Sequence, residues 1–193
     1  MSNLRFVILL ACLTLATPGT LAAVPAKART VTSAALPLPL VWQTYNACGP
    51  ASLSMLLAYW GHQQTQAEIS PLVRPSPTSD MPVKTIAPFA AQYQLQTRVV
   101  SKASVNTVRA LKANGIPVLL LTDLETPGKL PHWRVASGFD DTRRSLIFHD
   151  PLKGYILVTY DDVNLLWSGH SNLMVVLFPE AQRDVVLRSL SIT

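Results

Sequence analysis

The sequence is poor in cysteine, in glycine and in charge. Its 193 residues hold two cysteines and eight glycines, and only 14% are Asp, Glu, Lys or Arg. Two cysteines exclude a disulfide-rich scaffold and any multi-cysteine zinc site. The low charge argues against a disordered chain, because 49% of residues are hydrophobic and can form a sizeable core. No glycine-rich phosphate loop and no paired-histidine zinc motif occur, so no cofactor or metal is expected. The net charge of +5 comes from basic residues scattered along the chain, with only Arg143 and Arg144 adjacent. That reads as weak surface charge or acidic envelope partners, and no nucleic-acid partner is expected. The length fits one domain, at about 150 residues per domain.

What is present begins with an ordered set of signals at the N-terminus. Arg5 supplies a positive charge, Phe6 to Ala16 is an unbroken apolar run, and Thr17-Pro18-Gly19 breaks it. Thr20-Leu21-Ala22-Ala23 then offers small residues for cleavage, so residues 1–23 read as a secretory signal peptide. The run is shorter than the ~20 residues a membrane span needs. Cys12 lies inside the run, with more apolar sequence after it, which argues against lipid attachment. The expected product is exported, periplasmic or secreted, with no stable membrane insertion once the signal is removed. It loses Arg5 and Cys12 and keeps one cysteine, Cys48. A lone thiol in an oxidising compartment is a hazard whose retention asks for a reason.

Residues 24–40 carry Pro25, Pro37 and Pro39 without helical period and read as an extended lead-in. Residues 41–193 form the remaining domain. Leu53, Leu56, Leu57 and Trp60 recur at helical spacing on one apolar face. Pro50 belongs in the first turn of that helix, which puts Cys48 at its N-terminus, and Gly61 ends it. Thr65 and Glu68 have capping-box spacing for a second helix, followed by a loop over 71–77. A third helix is expected over 82–93, interrupted or kinked near Pro88. Ser104 caps a fourth that ends at Gly115. Strands are expected over 95–100, 116–121, 133–139, 145–148, 155–159 and 172–178, with a short helix over 161–167 and a terminal one over 179–190. Helices come first and strands follow, an α+β arrangement.

Cys48 at a helix start meets the partial positive charge and unpaired N–H groups that favour an anion. That field contributes up to ~2 kcal/mol, about 1.5 pKa units, so a thiolate still needs a base. His62 lies beyond the far end of the helix, and His170 sits in a turn and reads as a surface residue. His132 and His149 each adjoin a strand, and spacing alone does not choose between them. If strand 133–139 pairs with strand 145–148 across a turn at Asp140 and Asp141, His132 comes beside Asp150, which would orient it. Gln43 is near enough in sequence to supply a side-chain donor to an oxyanion, beside the Cys48 N–H. Asn46 is nearer but can instead cap the helix.

Residues 43–53, QTYNACGPASL, then HWRVASGF at 132–139 and FHDP at 148–151, resemble the motifs of the C39-like cysteine peptidases. The resemblance extends over about residues 40–178. It implies a papain-like fold with an N-terminal helical half and a C-terminal antiparallel sheet. It also implies a peptide or protein substrate, with Cys48, His132 and Asp150 as nucleophile, base and orienting carboxylate, and Gln43 as the oxyanion donor. Well-known members cut leader peptides after a Gly-Gly pair as domains of transporters. No transporter is encoded here, so that specificity is not carried over. An acyltransferase or amidase using the same triad, or a peptide-binding module with an unused site, are the alternatives.

Overall fold

The computed structural model describes residues 32–192, so the expected signal peptide, Cys12 and residues 24–31 of the lead-in lie outside the described residues. The described chain runs β1 (Thr32–Ser33), α1 (Cys48–Tyr59), α2 (Gln66–Val73), α3 (Ile86–Ala91), β2 (Leu95–Val100), α4 (Val105–Ala113), β3 (Val118–Asp123), β4 (Pro131–Asp140), β5 (Ser145–Asp150), β6 (Gly154–Thr159), α5 (Tyr160–Ser168), β7 (Met174–Pro179) and α6 (Arg183–Leu190). The strands form one sheet in the order β2-β7-β3-β4-β5-β6, with β1 paired to β4. Every pairing is antiparallel.

The sheet is buried on both faces. Val175 and Leu177 of β7 pack with Leu119, Val135 and the side chains of α1, α2 and α3. Met174, Val176 and Phe178, one residue out of phase, pack with Val118, Leu120, Phe148 and the side chains of α4, α5 and α6. A strand covered on both sides reads as a continuous apolar run and not as an alternation, which is how β3 and β7 look in the sequence.

Local signals set most boundaries. The α1 helix begins at Cys48 with Pro50 in its first turn, where a missing N–H costs nothing. Beyond Tyr59, Gly61 takes a positive φ of 87° and His62 N–H returns to Leu57 O, which closes the helix. Thr65 and Glu68 make the reciprocal capping box of α2. Ser104 accepts from Thr107 N–H at the start of α4.

Several expectations need correction. Helix α1 does not have one apolar face: residues 49–57 are all buried, because it is wedged between the sheet and α2, with α3 side chains in the same apolar cluster. Helix α2 runs through Pro71 to Val73 and not into a loop at 71. Proline in mid-helix removes a bond to the carbonyl four residues back, here that of Ala67 on a solvent-lined cleft, where water can satisfy it. The third helix is split into a 3-10 turn, Val83–Thr85, and α3. Pro88 falls in the first turn of α3 and therefore causes no kink. Asp141 is more than a turn residue: it accepts from the Tyr160 hydroxyl at 2.6 Å and pairs with Arg109.

Candidate active site

Cys48 opens α1 with no side chain capping the helix start; its neighbour Ala47 holds the cap position. The first N–H groups of the helix are thus left to whatever meets the thiol. Asn46, a possible cap from sequence, does something else. Its φ is 51°, and its Nδ2 donates to Thr78 O and Asp80 Oδ1 at 2.8 and 3.2 Å. Asn46 O in turn accepts from Arg74 at 2.8 Å. Gln66 of α2 accepts Thr44 N–H and donates to Trp42 O. The approach to Cys48 is therefore clamped from two sides. Gly49 lets residues around Met81 close over it, since a Cβ there would lie 2.7 Å from the Met81 Cβ.

His132, near the start of β4, is 3% exposed, and its Nε2 lies 3.0 Å from Asp150 Oδ1. The same oxygen accepts the N–H groups of Leu152 and Lys153 at 2.8 and 3.0 Å. A carboxylate accepts, so Nε2 carries a proton and Nδ1 is left for the thiol. Burial pushes the His132 pKa down, but the bond to Asp150, the bond to Cys48 and both negative charges outweigh it, and the net shift is upward. Burial pushes Asp150 up, yet His132, Arg134 and the Leu152 N–H bring it below the usual carboxylate range. Both shifts favour a protonated imidazole paired with the Asp150 carboxylate.

The expected hairpin does bring His132 to Asp150, through a detail that no sequence pattern shows. From Asp140↔Ser145 to Gly138↔Ile147 the register is regular; it slips at Ser137, after which Ala136 pairs with Phe148 and Val135 with His149. Carried on, that register sets Asp150 level with Arg134, with His132 two residues further along the same face. Without the extra residue Asp150 would come level with Val135, on the opposite face from His132. Ser137 is a β-bulge that puts the two side chains in phase.

His149, the other candidate base, is occupied. Its Nε2 is 3.0 Å from Leu38 O and its Nδ1 is 2.8 Å from Ser137 Oγ. A carbonyl only accepts, so Nε2 holds the proton and Nδ1 receives the Ser137 hydroxyl. Burial lowers its pKa, partly countered by Leu38 O, which keeps it neutral. Its role is to hold residues 34–38 across the hairpin, where Leu36 N–H also donates to Ser137 O. Gly138 makes room for that crossing: a Cβ there would lie 3.0 Å from Ala35 Cα. His62 meets Tyr93 edge to face, beyond the far end of α1 from Cys48. Gln43 donates its N–H to Pro151 O at 2.8 Å, one residue from Asp150, and its Oε1 is buried without a hydrogen-bond partner among the described residues.

Two features escaped the sequence reading. Arg134, 2% exposed, brings its Nε within 3.4 Å of Asp150 Oδ2 and donates Nη2 to Asp123 O and Leu124 O at 3.1 and 2.8 Å. The contact with Asp150 lacks hydrogen-bond alignment, so it is Coulombic only. A lone cation in the apolar stretch HWRVASGF was the available signal. His170 is no free surface residue: it pairs with Asp123 and borders a cavity that also includes Cys48. Among the described residues no helix is long and apolar enough to cross a membrane, and no cluster of three or more His, Cys, Asp or Glu could hold a metal ion.

The fold is shared with solved peptidase domains. The peptidase domain of Streptococcus ComA, a bi-functional ABC transporter involved in quorum sensing, superposes with a TM-score of 0.59 at 22% identity, over 73% of this chain and 98% of that one. A double glycine motif protease from an AMS/PCAT transporter, in complex with the leader peptide, gives 0.59 at 18% identity over 77% and 99%. A Bacillus anthracis protein described as a C39-like peptidase gives 0.63 at 14% identity over 78% and 98%. At such identities the likeness shows the fold, which is papain-like. No curated protein matches in sequence. The sequence profile of the Peptidase_C39 like family matches residues 35–168, which include every side chain assembled above except His170, and the chain belongs to that family of peptidase-like hydrolases.

Proposed function

We propose that this chain is an exported cysteine peptidase in which Cys48, His132, Asp150 and Gln43 perform the chemistry. Its Cys48 thiolate attacks a peptide carbonyl carbon, and the π electrons move to oxygen. The oxyanion is met by the Cys48 N–H at the uncapped start of α1 and by the Gln43 side-chain amide. His132 holds the proton taken from the thiol and delivers it to the leaving amine as the C–N bond breaks and a thioester remains. Water, deprotonated by His132, then attacks the thioester and releases the acid and the thiol. Asp150 holds the imidazole through Nε2 and stabilises its charged form.

The observation that carries this reading is the 3.0 Å contact of His132 with a fully buried Asp150 whose negative charge, with that of Cys48, raises the imidazole pKa. Burying a carboxylate costs several kcal/mol, and a protonated imidazole beside it offsets that cost. The test follows iodoacetamide alkylation of purified protein across pH. An ion pair gives a rate plateau that persists well below the ordinary thiol pKa of about 8.5. His132→Ala is expected to abolish the plateau, and Cys48→Ala to abolish hydrolysis of peptides. A thiol that titrates near the ordinary value refutes the reading. Peptide turnover by Cys48→Ala equal to that of the parent refutes it too. Export rests on residues 1–23, and recovery of uncleaved chain from the cytoplasm alone would refute it.

A further inference from the structure

His170 takes no part in that chemistry, yet it borders the same cavity as Cys48. Its Nε2 lies 3.0 Å from Asp123 Oδ1 at the end of β3. Asp123 is 2% exposed, and its other oxygen accepts the Gly128 N–H at 2.6 Å. Burial pushes the Asp123 pKa up, but the Gly128 N–H and His170 bring it below the usual range, so the group is a carboxylate. It can only accept, so His170 Nε2 carries a proton, and a ring that holds that one proton offers Nδ1 as an acceptor. No described group is bonded to that nitrogen. A surface histidine needs no buried anion to fix its tautomer, whereas a ligand-contacting one does.

The cavity itself points the same way. This open cleft of about 240 Å³ is lined mainly by Met81, Pro82, Leu121, Pro131 and Trp133, with Cys48, His170 and the exposed Asp80 as its polar members. Pockets that hold a whole small ligand measure about 300–1,000 Å³. This one suits a single apolar side chain of a longer bound chain, with few polar groups to fix its orientation. The Asp80 carboxylate at the rim, engaged by Asn46 Nδ2, disfavours an acidic side chain.

Resting on the peptidase reading, we propose that this cavity selects an apolar side chain next to the scissile bond. In the same complex His170, held by Asp123, accepts a hydrogen bond from a main-chain N–H of the bound peptide. The pair is a recognition device built beside the reacting thiol and separate from the His132–Asp150 pair.

The test compares two kinds of alkylating reagent on the full chain. Iodoacetamide is too small to occupy the cavity and reports the thiol alone. Acetyl-dipeptidyl fluoromethyl ketones carrying Leu, Gly or Asp next to the ketone report the cavity. The Leu reagent is expected to inactivate the wild type fastest. His170→Leu should slow that reagent about tenfold, the size of one lost hydrogen bond, with iodoacetamide slowed less than about twofold. His170→Gln, which keeps an acceptor, should recover much of the loss. Methylating the peptide nitrogen that donates should slow the wild type by the same factor and leave His170→Leu unaffected. Equal slowing of both reagents, no slowing of either, or a preference for Gly or Asp overturns the proposal. Wild-type Cys48 that shows no enhanced reactivity toward iodoacetamide overturns the peptidase reading itself, a result distinct from all of these.

Discussion

Replacing Arg134 with methionine keeps an aliphatic stem and removes the charge, which isolates what the guanidinium does. Two carbonyls, Asp123 O and Leu124 O, lose their donor. Each such bond contributes about 1 kcal/mol. Asp150 loses its one partner at Oδ2 among the described residues, while Oδ1 keeps His132, Leu152 and Lys153. Breaking a buried ion pair costs ~3–5 kcal/mol, but here the 3.4 Å contact lacks hydrogen-bond alignment, and removing Arg134 also removes its own desolvation cost. The net loss should be about 3 kcal/mol, which for a chain of this size lowers Tm by roughly 6–12 °C. Differential scanning calorimetry of Arg134→Met, Asp150→Asn and the double variant measures it. With the carboxylate neutralised, Arg134 has less to pair with, so the double variant should lose about 1–3 kcal/mol less than the sum of the singles. A Tm drop under ~2 °C for Arg134→Met, or additive losses, would refute the ion-pair reasoning.

Four other outcomes follow from particular contacts. Asp150→Asn removes the charge that, against burial, raises the His132 pKa, so the alkaline limb of the alkylation profile should move toward lower pH. Burial lowers the His149 pKa, so its contribution to stability is complete above its unfolded value of about 6.5 and is lost as pH falls through the lowered folded value. The His149→Gln protein, compared by urea unfolding between pH 7 and 5, should show a shallower acid loss than wild type. A valine at Gly138 meets Ala35 and Ile147 and should cost about 1–3 kcal/mol by thermal melting. Ser52→Ala frees Trp133 O from α1 and should lower stability by about 1 kcal/mol, read from the urea midpoint.

The helix start at Cys48 was legible because proline at its third residue leaves few other registers, and the caps at Thr65 and Ser104 were legible because capping is local chemistry. The β4–β5 hairpin could be read from two apolar runs around an aspartate turn. The bulge at Ser137 could not, since one unpaired residue leaves no mark on periodicity. Helix α1 looked one-sided because Ala51, Ser52 and Ser54 are small and weakly polar, yet their size is what lets the sheet and neighbouring helices close around it. Arg134 and the Asp123–His170 pair were hidden for a different reason. Their partners are backbone carbonyls and a side chain 47 residues away, and such pairings exist only once the sheet is assembled.

The crossing of residues 34–43 over the β4–β5 hairpin bears on when the site comes into being. His149 reaches Leu38 across 111 positions of sequence, and Gln43 is tied to Pro151. Contacts of such separation form late, because loop closure precedes any gain from them. A chain emerging N-terminus first carries its thiol long before residues 132–151 exist. Until they do, Cys48 has no imidazole beside it, Gln43 has no anchor, and the segment leading to α1 has nothing to lie on. Until residues 132–151 have emerged, the growing polypeptide therefore carries Cys48 without the imidazole and the carboxylate that stand at the site in the folded chain. The order of the sequence thus makes the surroundings of Cys48 one of the last parts of the chain to be completed.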